Sequence, residues 1–176
     1  RVCGKEGASA RVDSPGAVEL VGETMARGKV IQPAVVACST GDLLMLSRSN
    51  QGTIWKSTSP NGGLSWSICR PTTLENPDGA VELITLRDGR LLLVWNNSRT
   101  SRGVLTAALS NDDGESWYAL RDIVRGNGEY AYPTACELPD GAISVAYTED
   151  RYKIVEALFL PAWIEAGGML EHARRT

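Results

Sequence analysis

Histidine is all but missing from this chain, with one, His172, in 176 residues. A multi-histidine metal site and a Ser-His-Asp triad are therefore not expected, and no metal is. Long apolar runs are lacking too. The longest, residues 154–164, carries Glu156 and falls well short of the roughly 20 residues that cross a bilayer, so no membrane span is expected. Charge of one sign is also missing. Eighteen basic residues are scattered among twenty-one acidic ones for a net charge of −3, which offers no nucleic-acid surface. That small charge, beside 43% hydrophobic residues, also excludes disorder. Cysteines are few: Cys3, Cys38, Cys69 and Cys136 have the spacing of neither a zinc ribbon nor a dense disulfide scaffold. Cys38 and Cys136 fall in apolar, strand-like segments, where thiols are expected to be buried as small hydrophobes.

What is present is a repeat. Ser59-Pro-Asn-Gly-Gly-Leu-Ser-Trp66 and Ser110-Asn-Asp-Asp-Gly-Glu-Ser-Trp117 share the pattern Ser-x-(Asp/Asn)-x-Gly-x-Ser-Trp and begin 51 positions apart. The turn pairs Thr40-Gly41, Asp88-Gly89 and Asp140-Gly141 keep that rhythm at intervals of 48 and 52, each between two β-rich runs. Such a pair between such runs signals a hairpin. A third strand then leads into each box, and a fourth follows its tryptophan. Four strands at a period near fifty describe β-propeller blades. The box has a structural reading: its Asp or Asn side chain caps backbone N–H groups of its own turn, glycine supplies an angle closed to other residues, and Trp66 or Trp117 packs within its blade.

The fold expected is all-β, a partial six-bladed propeller of about three four-stranded antiparallel blades. Residues 1–30 would end a preceding blade or form a linker. Blades would occupy about 31–78, 79–129 and 130–163, with a tail over 164–176 and helix confined to 161–174. A half-ring leaves strand edges and core open, so a missing N-terminal half or a second copy is expected to close it.

Register places a candidate site. Nine residues before each turn glycine stand Gln32, Ala80 and Tyr132, and seven after it stand Arg48, Asn96 and Thr148. In antiparallel hairpins these offsets lie together, far from the turn, where successive blades meet around a mouth. The loop 97–103 brings Arg99 and Arg102 to the same end, and the boxes lie at the other. Fourteen of the eighteen basic residues are arginine, whose planar paired donors suit carboxylates. Arginines beside a tyrosine in a concave site suit a small anion bearing one.

These residues resemble the sialidase (neuraminidase) superfamily. The boxes look like its Asp-box, or BNR, repeats, and the stretch from Ile31-Gln32-Pro33 to about Trp163 resembles the C-terminal half of a sialidase-like protein. The resemblance implies an exo-α-sialidase-like glycoside hydrolase, retaining and without a cofactor, with a sialoside or other acidic sugar as partner. It implies Tyr132 as nucleophile, Arg48 and Arg102 as carboxylate-binding arginines with Arg99 in reserve, and Asn96 among the sugar contacts. The position of the base that activates the tyrosine holds Gln32, which accepts no proton from a phenol; Glu129 or Glu149 are the carboxylates near enough in sequence to replace it. The first arginine and the acid/base aspartate would lie outside this chain. Gln32 keeps alternatives open: a non-catalytic carbohydrate-binding propeller, a hydrolase for another sugar, or a structural module.

Overall fold

The computed structural model describes residues 22–167 apart from 25 and 27. Cys3, His172 and most of the 1–30 and 164–176 segments lie outside them. Among the described residues, eleven strands fold as three antiparallel sheets in chain order, followed by one short helix. β1 (Val30–Ala37), β2 (Leu43–Ser49), β3 (Thr53–Ser59) and β4 (Arg70–Glu75) make the first. β5 (Glu82–Thr85), β6 (Leu91–Trp95), β7 (Val104–Ser110) and β8 (Tyr118–Arg125) make the second. β9 (Tyr130–Glu137), β10 (Ile143–Glu149) and β11 (Lys153–Phe159) make the third. Each sheet is a simple meander, as short hairpin loops require. The architecture is all-β, a partial β-propeller with two four-stranded blades and one three-stranded blade.

The blades stack face to face through two apolar clusters. Leu44, Leu46 and Ile54 of the first blade meet Leu91, Leu93 and Trp95 of the second. Leu92, Val94, Leu105 and Leu109 of the second meet Ile143, Val145 and Tyr147 of the third. The middle blade is thus covered on both faces, and for that reason β6 and β7 are buried at every position rather than alternately. The outer faces of β1 and β11 alternate instead, leaving Val35, Ile154 and Leu158 exposed. Cys136 is exposed on β9, against the expectation of a buried thiol, because it alternates outward there. Cys38 lies just beyond β1 and is only partly buried, whereas Cys69 is buried.

The boxes do the capping that their residue types suggest. Asn61 Oδ1 accepts from Ser65 N–H at 2.9 Å, and Ser59 Oγ accepts from Gly63 N–H at 2.9 Å. In the second box Asp112 Oδ1 and Ser110 Oγ repeat those bonds to Ser116 N–H and Gly114 N–H at 2.9 and 2.8 Å. Gly114 has φ +78°, and a Cβ there would meet Leu44 Cδ2 at 2.5 Å, so this turn presses against the neighbouring blade. Asp113 of the same turn accepts from Ser39 N–H and Oγ–H at 2.9 and 2.6 Å, tying the second box to the first blade's hairpin. Trp117 packs into the cluster between those two blades.

In the third blade Phe159 stands where Ser110 stands in the second, by the equivalent pairings Ile143↔Phe159 and Leu91↔Ser110. No box follows. Leu160 and Pro161 instead open α1 (Pro161–Ala166); the rest of the expected helical segment, residues 168–174, lies outside the described residues. Ile164 is fully buried, and Trp163 lies under the Arg121 guanidinium at 4.1 Å, so α1 is pinned to the second blade.

Candidate functional site

At the end of the blades opposite the boxes, Gln32 (φ 52°), Asp78 (φ 58°) and Tyr132 (φ 54°) hold a left-handed backbone, as do Asp150 (φ 53°) and Arg151 (φ 60°) in the turn between β10 and β11. Non-glycine residues rarely hold such angles. Gln32 interrupts the β1–β2 register between Ile31 and Pro33, and Tyr132 lies in the corresponding β9–β10 irregularity. A bulge of this kind re-aims one side chain without disturbing the strand below it.

The equivalent residue in the second blade is Asp78, not Ala80. Ala80 is buried, and the chain reaches the mouth two residues earlier, through Asn76-Pro77-Asp78-Gly79 ahead of β5. Asn76 clamps that turn: its Nδ2 donates to the Gly79 carbonyl at 3.0 Å and its Oδ1 accepts from Gly79 N–H at 2.9 Å. Fixed-offset counting from the Asp-Gly corner missed Asp78. The Pro-Asp-Gly triplet, a turn signature in its own right, was the available signal.

Arg48, near the end of β2, and Arg102, just before β7, converge on this turn. Arg48 Nη1 donates to the Asp78 carbonyl oxygen at 2.9 Å, and Arg102 Nη2 donates to the same oxygen at 2.8 Å. Arg48 Nε also lies 3.5 Å from Asp78 Oδ1. Both arginine side chains are mostly buried. Arg102 is further held by Glu129 Oε1 at 3.0 Å, and its Cζ is 6.0 Å from the centre of the half-exposed Tyr132 ring. Arg48, Asp78, Arg102 and Tyr132 therefore form one continuous set across three blades.

Glu129 is committed to cations. Arg151, at the β10–β11 turn, donates to Glu129 Oε1 at 3.1 Å, while Glu129 N–H donates to Asp150 Oδ1 at 2.7 Å. Hydrogen bonds from Arg151 and then Arg102 hold its carboxyl below the ordinary value, despite some desolvation. Such a carboxylate is a weak proton acceptor. Glu149 is engaged with Lys153 at 3.5 Å. Gln32 is exposed on β1. Arg151 had no role in the sequence reading, since a lone arginine after Glu-Asp carries no motif. Beside it an open groove of about 440 Å³ runs past Ser101, Arg102, Asn127 and Glu129.

Asn96 does not line the mouth. It is completely buried, and its Nδ2 donates to the Val104 and Tyr130 carbonyls at 2.6 and 2.7 Å, tying the second blade to the third. Its carbonyl faces Gly79, where a side chain would collide with it. The hydroxyl of Thr148 is likewise spent, on the Ala131 carbonyl at 3.0 Å. Arg99 is exposed, and its guanidinium covers Gly52 in the β2–β3 turn, apart from the Asp78 cluster.

Residues 3–145 match the model of the BNR repeat-like domain. The chain belongs to that family. No curated protein matches it. Among solved structures, this BNR repeat-like chain is similar to the leech intramolecular trans-sialidase (TM-score 0.67, 17% identity, 77% of this chain and 24% of that one). It is similar to the intramolecular trans-sialidase of Ruminococcus gnavus (TM-score 0.66, 20% identity, 76% and 33%) and to the NanB sialidase of Streptococcus pneumoniae (TM-score 0.58, 27% identity, 69% and 20%). It spans a third or less of the length of these proteins. An α-L-arabinanase of Penicillium chrysogenum is also similar, at TM-score 0.55 and 17% identity.

Proposed function

We propose that this chain supplies part of the mouth of a sialidase-type glycoside hydrolase acting on terminal sialic acids or related acidic sugars. The observation that carries the reading is the convergence of Arg48 and Arg102 on the Asp78 turn with Tyr132 beside them. Each guanidinium keeps further N–H groups for a ligand after its bond to Asp78. In this reading the Tyr132 oxygen attacks the anomeric carbon as the glycosidic C–O bond breaks, and its proton passes to a base. The departing oxygen takes a proton from an acid outside this chain, and water then hydrolyses the tyrosyl glycoside with retention. A phenol suits an acidic sugar better than a carboxylate nucleophile, which the sugar's own carboxylate would repel. The remaining blades come from the rest of the protein or from a second copy, and residues 31–163 are one propeller segment within it.

The test is release of 4-methylumbelliferone from its α-sialoside by the intact protein. Loss of that release in Tyr132→Phe supports the nucleophile, and unchanged turnover removes it.

A second reading, sugar binding without turnover or hydrolysis of another sugar, is favoured by Gln32 and by the commitment of Glu129 to two arginines. A phenol has a pKa near 10, and without a base it is a poor nucleophile. Calorimetric binding of a sialoside without turnover would favour this second reading.

A further inference from the structure

We propose that Asp78 is a ligand-contacting, specificity-determining residue, whose carboxylate receives sugar hydroxyl groups and holds down the preference of the Arg48–Arg102 pair for a carboxylate. The inference rests on the reading of the mouth as a sialoside-binding site.

Asp78 is placed for contact. Its kink matches those of Gln32 and Tyr132, and of the three it alone carries a charged side chain. That side chain is 43% exposed although Oδ1 is buried and makes no hydrogen bond. The exposure therefore belongs to the rest of the group, at the mouth end of the second blade. A carboxylate is an acceptor only, and the donors a sugar offers it are chiefly its hydroxyl groups.

The simpler role, a strut for Arg48, does not account for the side chain. Arg48 is held by the Asp78 main-chain oxygen at 2.9 Å, a bond any residue at this position would make. Its Nε and Asp78 Oδ1 stand 3.5 Å apart, and neither has a hydrogen-bond partner. The carboxylate is thus an ion-pair partner of Arg48 whose hydrogen-bonding capacity is left for a ligand.

Its charge has a second effect. Arg48 has Asp78 beside it, and Arg102 has Glu129 at 3.0 Å. An entering carboxylate gains two guanidinium groups but approaches two fixed anions, and like charges at a few ångströms oppose one another. The two fixed anions thus lower the gain from a ligand carboxylate, while Asp78 adds an acceptor for a hydroxyl group of the same sugar.

The experiment measures binding of α-methyl sialoside and of its neutral methyl ester by calorimetry, with the intact protein and its Asp78→Asn variant. Asparagine keeps the shape and tolerates the left-handed angle; should that variant fold poorly, Asp78→Gly keeps the angle without strain. The expected result is a rise of about tenfold in the acid-to-ester affinity ratio, with weaker ester binding as the hydroxyl acceptor is lost. An unchanged ratio with both ligands still bound overturns the role of Asp78 and leaves the sialoside reading standing. Failure of the folded wild-type protein to bind either ligand overturns the sialoside reading itself, and this inference with it.

Discussion

Arg48 and Arg102, from successive blades, donate to one oxygen, the Asp78 carbonyl, at 2.9 and 2.8 Å. A single main-chain atom thus fixes the separation of two cations that would otherwise repel. The pair is preorganised before any ligand arrives, and that lowers the ordering cost of binding.

The guanidinium geometry, and not the charge alone, matters for this pair. Arg102→Lys is expected to weaken sialoside binding by about tenfold to a hundredfold, the range of one or two charge-assisted hydrogen bonds. A lysine cannot hold Asp78 and Glu129 together while offering a flat donor edge. Calorimetric titration checks this, and wild-type affinity in the variant would remove Arg102 from the site.

Gln32→Glu places a proton acceptor on the kink of the first blade. Sialoside hydrolysis by the intact protein is expected to rise about a hundredfold or more, within the usual range for a general base. The rise should follow ionisation of the new carboxyl on its acid limb. No change in rate at any pH would show that the amide is not what limits turnover.

Asn96 carries the junction between the second and third blades. Asn96→Leu leaves the buried carbonyls of Val104 and Tyr130 without their shared donor. Its expected cost is about 2–4 kcal/mol, from two unsatisfied acceptors with some relaxation. A shift in the denaturant midpoint measures it, and a loss below about 0.5 kcal/mol would mean that water replaces the amide.

Asp112 gives the second box a pH dependence that the first lacks. Hydrogen bonds from the Ser116 hydroxyl and then its N–H bring the carboxyl down from 3.8 to about 2. Because the folded value is depressed, the stabilisation is full above the unfolded pKa near 4 and is lost as pH falls toward 2. Asp112→Asn should flatten the fall in melting temperature across that window. The variant should also fold, since Asn61 accepts the equivalent bond from Ser65 in the first blade. An acid slope matching wild type would place the proton elsewhere.

The frame was largely legible in the chain, and the site less so. The boxes and glycine corners repeat because every blade needs the same turn chemistry, so strand order and the end carrying Gln32, Arg48, Arg102 and Tyr132 could be read by counting. Counting failed where the connection changed length: Asn76 and Pro77 bring the chain to the mouth early, and Asp78 was missed for Ala80. Asn96 was misread because a strand-end position predicts location, not whether a side chain points outward or is consumed by neighbouring carbonyls. Pairings such as Glu129 with Arg102 and Arg151 join loops from different blades, and no local pattern encodes them.

The left-handed kinks at residues 32, 78 and 132 give this mouth an unusual independence from its frame. Residues 32 and 132 each stand on a bulge, and residue 78 on a clamped turn, above strands that are already paired and packed. Exchanging a base for an amide, or an acid for a phenol, at such a socket alters what the rim does to a sugar while the sheets beneath keep their register. Chemistry at this rim can therefore diverge faster than architecture, and two chains of one shape can differ in ligand by three side chains.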